Sequence, residues 1–500
     1  MSEPRLPPVR IIGGEILSDR RLLIDGAFVE GDGPPRDVIE PSTGEVHVSW
    51  PDASSAQVAQ AVEAAARAFP AWRDRTQDER SAALRAIADD IVSLRGELAV
   101  ALTHETGRAL SRNGLYVDMA AAVFRQYAEL ARVDSGRVTP ANDPGQLSFV
   151  QRVPYGVVAA LVPFNYPLLL LTFKVAPALA VGNTVVVKPA PETPLSLQIL
   201  AEVFSRHLPA GVINTVRGGA EVGEALVSHP AVDLVAFTGS TAVGQKIAAA
   251  CAATGKATHL ELGGKDPALV FADTDPELAA EAVVWAAFLN AGQVCTSTER
   301  VYVHEAIYDR FVDAGVRITE KLRVGDPFDA ATQVGPMRTA AGRDKVLRHL
   351  QAAREAGADV LVGGEPLDRP GFFLAPAVVT GVDHSMDLMR EETFGPVMPV
   401  MPFRDEDEAF SLAADTPYGL GVSLYTQTSR LVERALRELQ VGTVWVNDPV
   451  VDNLAAPLGG MRASGNASEL GPEGLDSFTR PRRVHWNLDL VRKDWWFREE

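Results

Sequence analysis

Cys295 sits in Asn290-Ala291-Gly292-Gln293-Val294-Cys295-Thr296-Ser297, one thiol among small and polar residues between an apolar helical stretch and a strand-like one. That context suits an accessible, reactive thiol; a buried packing cysteine is the alternative reading of any isolated cysteine. Cys251, inside a run of alanines on a helical pattern, fits the alternative. No histidine has a local relation to Cys295, so a Cys/His protease arrangement has little support. The acid candidate is Glu261, in His259-Leu260-Glu261-Leu262-Gly263-Gly264-Lys265, where a double glycine lets the backbone turn sharply and approach a ligand. A plain structural turn competes with that reading. Phe237-Thr238-Gly239-Ser240-Thr241-Ala242-Val243-Gly244 closes an apolar strand and opens a helix, and free N–H groups at such a junction favour a phosphate. Simple helix capping by the hydroxyls is the other reading. Lys188 ends the strand-like NTVVVK, which would stand its ammonium at the carboxyl edge of a sheet, where α/β ligands collect, unless it is merely solvated.

The elements that must position these groups alternate in a βα grammar. VVAALV precedes a helix from about Pro167, NTVVVKPA precedes SLQILAEVFSRHL, and LVAFTG precedes a helix from about Thr241. Strands joined by helices of ten or more residues imply parallel pairing and a three-layer α/β core. Beyond residue 264 the same grammar recurs in PALVF, ERVYVH, AIYDRFVDAGVRITEKL and ADVLVGG, which predicts a second α/β domain. Upstream, LLIDGAFV reads as a short β region, and apolar spacing predicts helices over 58–69 and 80–102. Residues 134–151 turn to Gly, Pro, Asn and Ser, an excursion from the main body.

Composition bounds the function. At about 100 to 200 residues per domain, 500 residues imply two to four domains. Lys+Arg 47 against Asp+Glu 65 gives a net charge of −18, which disfavours nucleic acid and anionic membranes as partners. Two cysteines make no disulfide framework, and neither sits in a CxxC or Cys/His cluster, so no metal is assigned and a reducing compartment fits. GxGxxG, GxxxxGK[ST] and HExxH are absent. The start MSEPRLPPVRIIGGEIL lacks an export signal, so a cytoplasmic location is expected. The uncharged stretch 156–173 is nearly long enough to span a bilayer, but prolines and Asn165 at its centre favour a strand, a loop and a buried helix.

These signals coincide in one family: along nearly its whole length the chain resembles the NAD(P)-dependent aldehyde dehydrogenases. Pro163-Phe164-Asn165-Tyr166-Pro167 resembles the family's PWNxP, Lys188-Pro189-Ala190 its KPA, Phe237 to Thr241 its FTGS turn, and Glu261 to Lys265 its ELGGK. Gly292 to Cys295 matches GQxC, Glu391 to Pro396 matches EExFGP, and Pro457 to Gly465 resembles PFGGxKxSG. The resemblance implies two three-layer α/β domains, a Rossmann-like cofactor domain over 1–131 and 155–263 and a catalytic domain over 264–463. Segments 132–154 and 479–500 would form a small β extension that builds a homo-oligomer, dimer or tetramer.

It also implies roles. Cys295 would attack the aldehyde, Asn165 and the Cys295 N–H would hold the oxyanion, and Glu261 would activate the hydrolytic water. Lys174 and Glu469 match positions associated with proton relay, with a structural ion pair as the alternative. Lys188, Gly239, Ser240, Gly244, Leu262, Glu392 and Phe394 would bind NAD. Phe164 replaces the usual Trp, and Pro191 stands where many NAD-preferring members carry a Glu, so NADP is tolerated in this reading.

The implied aldehyde tunnel is lined by Met119, Tyr166, Leu169, Leu170, Phe173, Leu289, Val294, Thr296 and the loop Asp448 to Leu458, including Asp452. It contains no arginine, so a neutral aromatic or aliphatic aldehyde is the first expectation and an amino or betaine-type aldehyde the second. A CoA-acylating enzyme is disfavoured by the presence of Glu261, and a non-catalytic protein of the same fold by Cys295.

Overall fold

Strands that are apolar on both faces need cover on both faces, and the runs Val157–Leu161 and Thr184–Lys188 are buried at every position. A computed structural model of the chain describes residues 10–12, 15–17, 21–133 and 136–497. In it these runs lie in a five-stranded parallel sheet ordered Ile213–Thr215, Thr184–Lys188, Val157–Leu161, Leu234–Thr238, Ala257–Glu261. Strand order reverses beside Val157–Leu161, which makes the carboxyl ends of that strand and of Leu234–Thr238 the natural ligand crevice.

The second sheet has seven strands, ordered Asp359–Val362, Ala377–Thr380, Val397–Phe403, Thr298–His304, Asp266–Val270, Gly421–Tyr425, Thr443–Val446. All neighbours are parallel except the edge strand Asp359–Val362. The α/β class and the two parallel sheets follow the sequence expectation. Gln146–Pro154 pairs antiparallel with Gly136–Thr139 on one side and Thr479–Asn487 on the other, so the Gly- and Pro-rich excursion is a small sheet. The apolar stretch after Gly156 divides into a strand, a loop and the buried helix Pro167–Ala180, and no helix among the described residues is long and apolar enough to cross a membrane.

Three helical details depart from the pattern reading. The first helix runs Ser55–Arg73, longer at both ends, because Ser54 and Gln57 close a reciprocal capping box at its start. The helix expected over 80–102 is two, Gln77–Ser93 and Arg95–Thr106. Ser93 turns its hydroxyl back to the Asp90 carbonyl at 2.8 Å, and Leu94 leaves helical geometry at ψ 16°. Helix Leu110–Leu130 was absent from the pattern because Ser111, Asn113 and Gly114 open it with turn-type residues, two of which it buries. Residues 1–9, whose composition underlies the location expectation, and residues 498–500 of the expected association segment lie outside the described residues.

Candidate active site

The thiol is delivered by an unusual piece of backbone. Helix Pro276–Phe288 gives way to Asn290, Ala291 and Gly292 with φ of 52°, 55° and 71°, three successive left-handed residues. Such geometry is costly for Asn and Ala, and it persists where surrounding packing imposes it. At Gly292 no side chain is admissible, since a Cβ would lie 2.2 Å from the Gly395 carbonyl oxygen. The turn therefore presses the Cys295 loop against the Glu391 to Pro396 segment. Cys295 keeps part of its surface exposed, whereas Cys251 is fully buried in helix Thr241–Ala252. Burial, reinforced by the carboxylates of Glu261, Asp452, Asp266 and Glu392, holds the Cys295 thiol well above its ordinary range.

Glu261 ends its strand at the crevice, and neither of its buried carboxylate oxygens has a hydrogen-bond partner of normal geometry. Burial first, then the negative charge of Glu469, pushes its carboxyl well above the usual range, against the opposing influence of Lys174 and the Cys295 thiol. A buried carboxyl left without partners is costly as a structural element and suited to exchanging a proton.

Asn165 is held from three sides. Its side-chain amide donates to the Gln293 carbonyl at 3.1 Å, tying it to the Cys295 loop. Its own carbonyl accepts from the Arg108 guanidinium and from the Asn290 side-chain amide at 3.3 Å. Arg108 was not anticipated from sequence. It is buried, lies 3.9 Å from the Tyr166 ring centroid and 4.5 Å from that of Tyr116, and donates to Asn290 Oδ1 at 3.2 Å. A single basic residue after Gly107 carries no sequence signal for this, because apart from Tyr116 these partners come from two distant segments, around Asn165 and at Asn290.

Lys174 and Glu469 form a fully buried ion pair, with Thr238 Oγ1 2.5 Å from the lysine and His259 Nε2 3.7 Å from the glutamate. Burial alone would raise Glu469, but Lys174 and His259 outweigh it and keep the carboxylate below its ordinary value. Breaking a buried pair from one side costs about 3–5 kcal/mol, because the other charge is stranded. Lys174→Met should therefore lower the calorimetric Tm by several degrees, and Lys174→Met/Glu469→Gln should recover most of the loss. If the double variant is no more stable than the single one, stranded charge is not the cause.

The cofactor-side candidates gather around the crevice. Lys188 is buried, donates to the Pro189 carbonyl at 3.1 Å, and is lowered by burial to about 8 against the influence of Glu192, Asp52 and Glu221. Gly239 donates its N–H to the Glu261 carbonyl at 3.1 Å, and Ser240 is the exposed N-cap of helix Thr241–Ala252, its hydroxyl making no capping bond. A Cβ on Gly244 would come within 2.3 Å of Leu262, so the glycine lets this helix pack closely on the turn after Glu261. Those features fit a dinucleotide: a helix N-terminus whose capping hydroxyl is uncommitted, a glycine for close approach, and a buried cation at the sheet edge.

Opposite them, Glu392 accepts from Gly264 N at 3.3 Å and is raised by burial to about 7, and Phe394 adopts φ 53° with its ring edge-on to Phe164 at 5.9 Å. That loop is pinned by Glu299, which accepts from the Thr393 and Phe394 N–H groups at 2.6 and 2.8 Å and from Lys265 Nζ at 2.6 Å. In sequence Lys265 is only the last letter of the Glu261 to Lys265 motif, and Glu299, inside a strand, carries no signal of its own.

Tyr166, Leu169, Leu170, Phe173, Val294 and Leu458 belong to one buried apolar cluster, with Met119 and Leu289 packed against it. Thr296, next to the thiol, is buried as well. The loop aspartates separate: Asp448 is exposed, while Asp452 is close enough to influence both Cys295 and Tyr166, its carboxyl raised by burial to about 6.

The model of the "Aldehyde dehydrogenase family" matches residues 28–484. A glutarate-semialdehyde dehydrogenase of Pseudomonas aeruginosa is 37% identical over 458 residues, 91% of this chain and 95% of that protein. A peroxisomal aminoaldehyde dehydrogenase of Malus domestica is 38% identical over 496 residues, 96% of this chain and 97% of its own. A betaine aldehyde dehydrogenase of Staphylococcus aureus, solved in complex with NAD+, is similar with a TM-score of 0.93 at 36% identity, covering 96% of this chain and 98% of that one. A match of that extent turns the resemblance carried by the short motifs into membership, and the chain belongs to the aldehyde dehydrogenase family.

Proposed function

We propose that the chain oxidises an aldehyde to its carboxylic acid through a covalent bond to Cys295. The Cys295 thiolate adds to the carbonyl carbon, and the Asn165 amide with the Cys295 N–H stabilises the oxygen that gains the charge. NAD, held by Lys188, Gly239, Ser240, Gly244, Leu262, Glu392 and Phe394, supplies the hydride acceptor when bound. Glu261 takes a proton from the water that cleaves the acyl thioester, freeing the acid and the thiol. Lys174 and Glu469, whose charges act directly on the Glu261 carboxyl, pass that proton onward. The buried carboxylate of Glu261 carries this reading, because a carboxyl without a hydrogen-bond partner beside the thiol is suited to taking a proton from water.

Of the carboxylates near Lys188, Asp52 and Glu221 are paired with Arg36 at 2.7 and 3.1 Å, so Glu192 alone stands against a 2′-phosphate where Pro191 offers no charge; NAD is preferred in this reading and NADP tolerated. The cofactor domain comprises 1–131 and 155–263, the catalytic domain 264–463. The sheet formed by 136–154 and 479–487 leaves Val138, Leu147 and Trp486 exposed, which supports homo-oligomer assembly through 132–154 and 479–500 in a cytoplasmic enzyme.

For the substrate, a neutral aromatic or aliphatic aldehyde suits the apolar cluster. Asp452 favours a second reading, an amino or quaternary-ammonium aldehyde, and Arg108 is already committed to Asn165 and Asn290 rather than to a substrate carboxylate. An aldehyde panel with NAD and NADP decides. Neutral substrates should keep their kcat/KM in Asp452→Asn within about threefold, cationic ones should lose about tenfold or more, and NAD should exceed NADP. A carboxylate-bearing semialdehyde as best substrate would contradict both readings.

A further inference from the structure

We propose that Glu40, His47 and His104 form a binding site for a transition-metal dication of the zinc class, apart from the aldehyde chemistry. The three residues come from separate elements. Glu40 opens the tight turn after strand Pro35–Ile39, its N–H bonded to the Glu45 carbonyl at 2.8 Å. His47 lies on the returning strand Val46–Pro51, and His104 in the last turn of helix Arg95–Thr106.

Their donor atoms converge: His104 Nδ1 is 2.6 Å and His47 Nδ1 3.4 Å from the same Glu40 oxygen, Oε2, and all three ligand atoms fall within 4.8 Å of one another. Glu40 Oε1 accepts from Ser42 Oγ at 2.9 Å, an outer contact that orients the carboxylate with its other oxygen toward the imidazoles. The two rings stack at 4.5 Å and 28°, and Phe328 covers His104 at 4.7 Å.

Ligand bonds of about 2.0–2.2 Å place tetrahedral donor atoms about 3.3–3.6 Å apart. The His47 to Glu40 separation already has that spacing, and His104 has to open by less than about 1 Å. Two imidazoles and one carboxylate select zinc-class ions over Mg²⁺ or Ca²⁺, which prefer all-oxygen sets. The side chains of Glu40, His47 and His104 are 11%, 16% and 16% exposed, enough for ion entry. A bound ion would fasten the N-terminal hairpin to the helix that leads into Gly107 and Arg108.

The test uses chelator-treated Cys295→Ala protein, which removes the competing thiol ligand, titrated with Zn²⁺ by calorimetry and with Co²⁺ by visible absorption. Expected are about one saturable Zn²⁺ equivalent, intense Co²⁺ bands of a tetrahedral site, a Tm raised by several degrees, and no response to Mg²⁺. His47→Ala/His104→Ala should lose the equivalent and the Tm gain. If that variant fails to fold, His47→Asn should weaken Zn²⁺ binding by at least about tenfold. An unchanged stoichiometry in these variants, or no saturable binding in the parent, means that the imidazoles only pack beside Glu40 and overturns the site.

Discussion

Cys295→Ala is expected to lower aldehyde oxidation by at least about 10⁴-fold in kcat/KM, since loss of a nucleophile removes the covalent route entirely. No second thiol can substitute, because Cys251 is fully buried within helix Thr241–Ala252. Cofactor affinity, read by fluorescence titration, should stay within about threefold of the parent, as none of the proposed dinucleotide contacts involves the thiol. Retention of more than a tenth of the activity would remove Cys295 from its role.

The same chemistry fixes the direction of the pH profile. Cys295 and Glu261 are both acids whose groups are held above their ordinary range, burial being the leading cause for each. Their neutral forms prevail at low pH, and the anions that react appear only as pH rises. The rate should therefore climb from neutral into the alkaline range, and a profile falling over that interval would contradict the assignment.

What was legible in the sequence follows the range over which its signals act. The parallel strands could be read because each is a short apolar run bounded by turn residues, and Cys295, Glu261 and Asn165 because each sits in a contiguous motif whose glycines or prolines shape the local backbone. Arg108 was not legible, since its function arises from Asn290, 182 residues away, and from two tyrosine rings. Lys174 and Glu469 were visible one by one, but their burial as a pair depends on a contact spanning 295 residues. Glu299 shows why a charge in a strand is easily passed over: only the folded loop supplies the two N–H groups that its carboxylate holds. Helix Leu110–Leu130 was lost for a related reason, because packing against neighbouring helices overrides the turn-type residues of its first turn.

Glu261→Gln should separate acylation from release. The amide is nearly isosteric with the carboxyl but cannot accept the proton of the attacking water, so thioester hydrolysis should slow by about 10²–10⁴-fold, the usual worth of a positioned general base. Acyl transfer to Cys295 requires only the thiolate. Removing Glu261 takes away the carboxylate that most opposes that thiolate, so the thiol should ionise more readily. The expected record is a burst of NADH approaching one equivalent of sites, followed by slow turnover, with acyl-enzyme detectable by mass spectrometry. Hydroxylamine, a nucleophile that needs no base to cleave a thioester, should accelerate the slow phase. A Glu261→Gln enzyme with no burst would instead place Glu261 in deprotonation of Cys295 before attack, whereas a burst with unchanged turnover would show that some other group activates the water. The two outcomes differ because neither Glu261 oxygen has a hydrogen-bond partner of normal geometry: the replacement leaves the packing intact and changes where a proton can go and what charge faces Cys295.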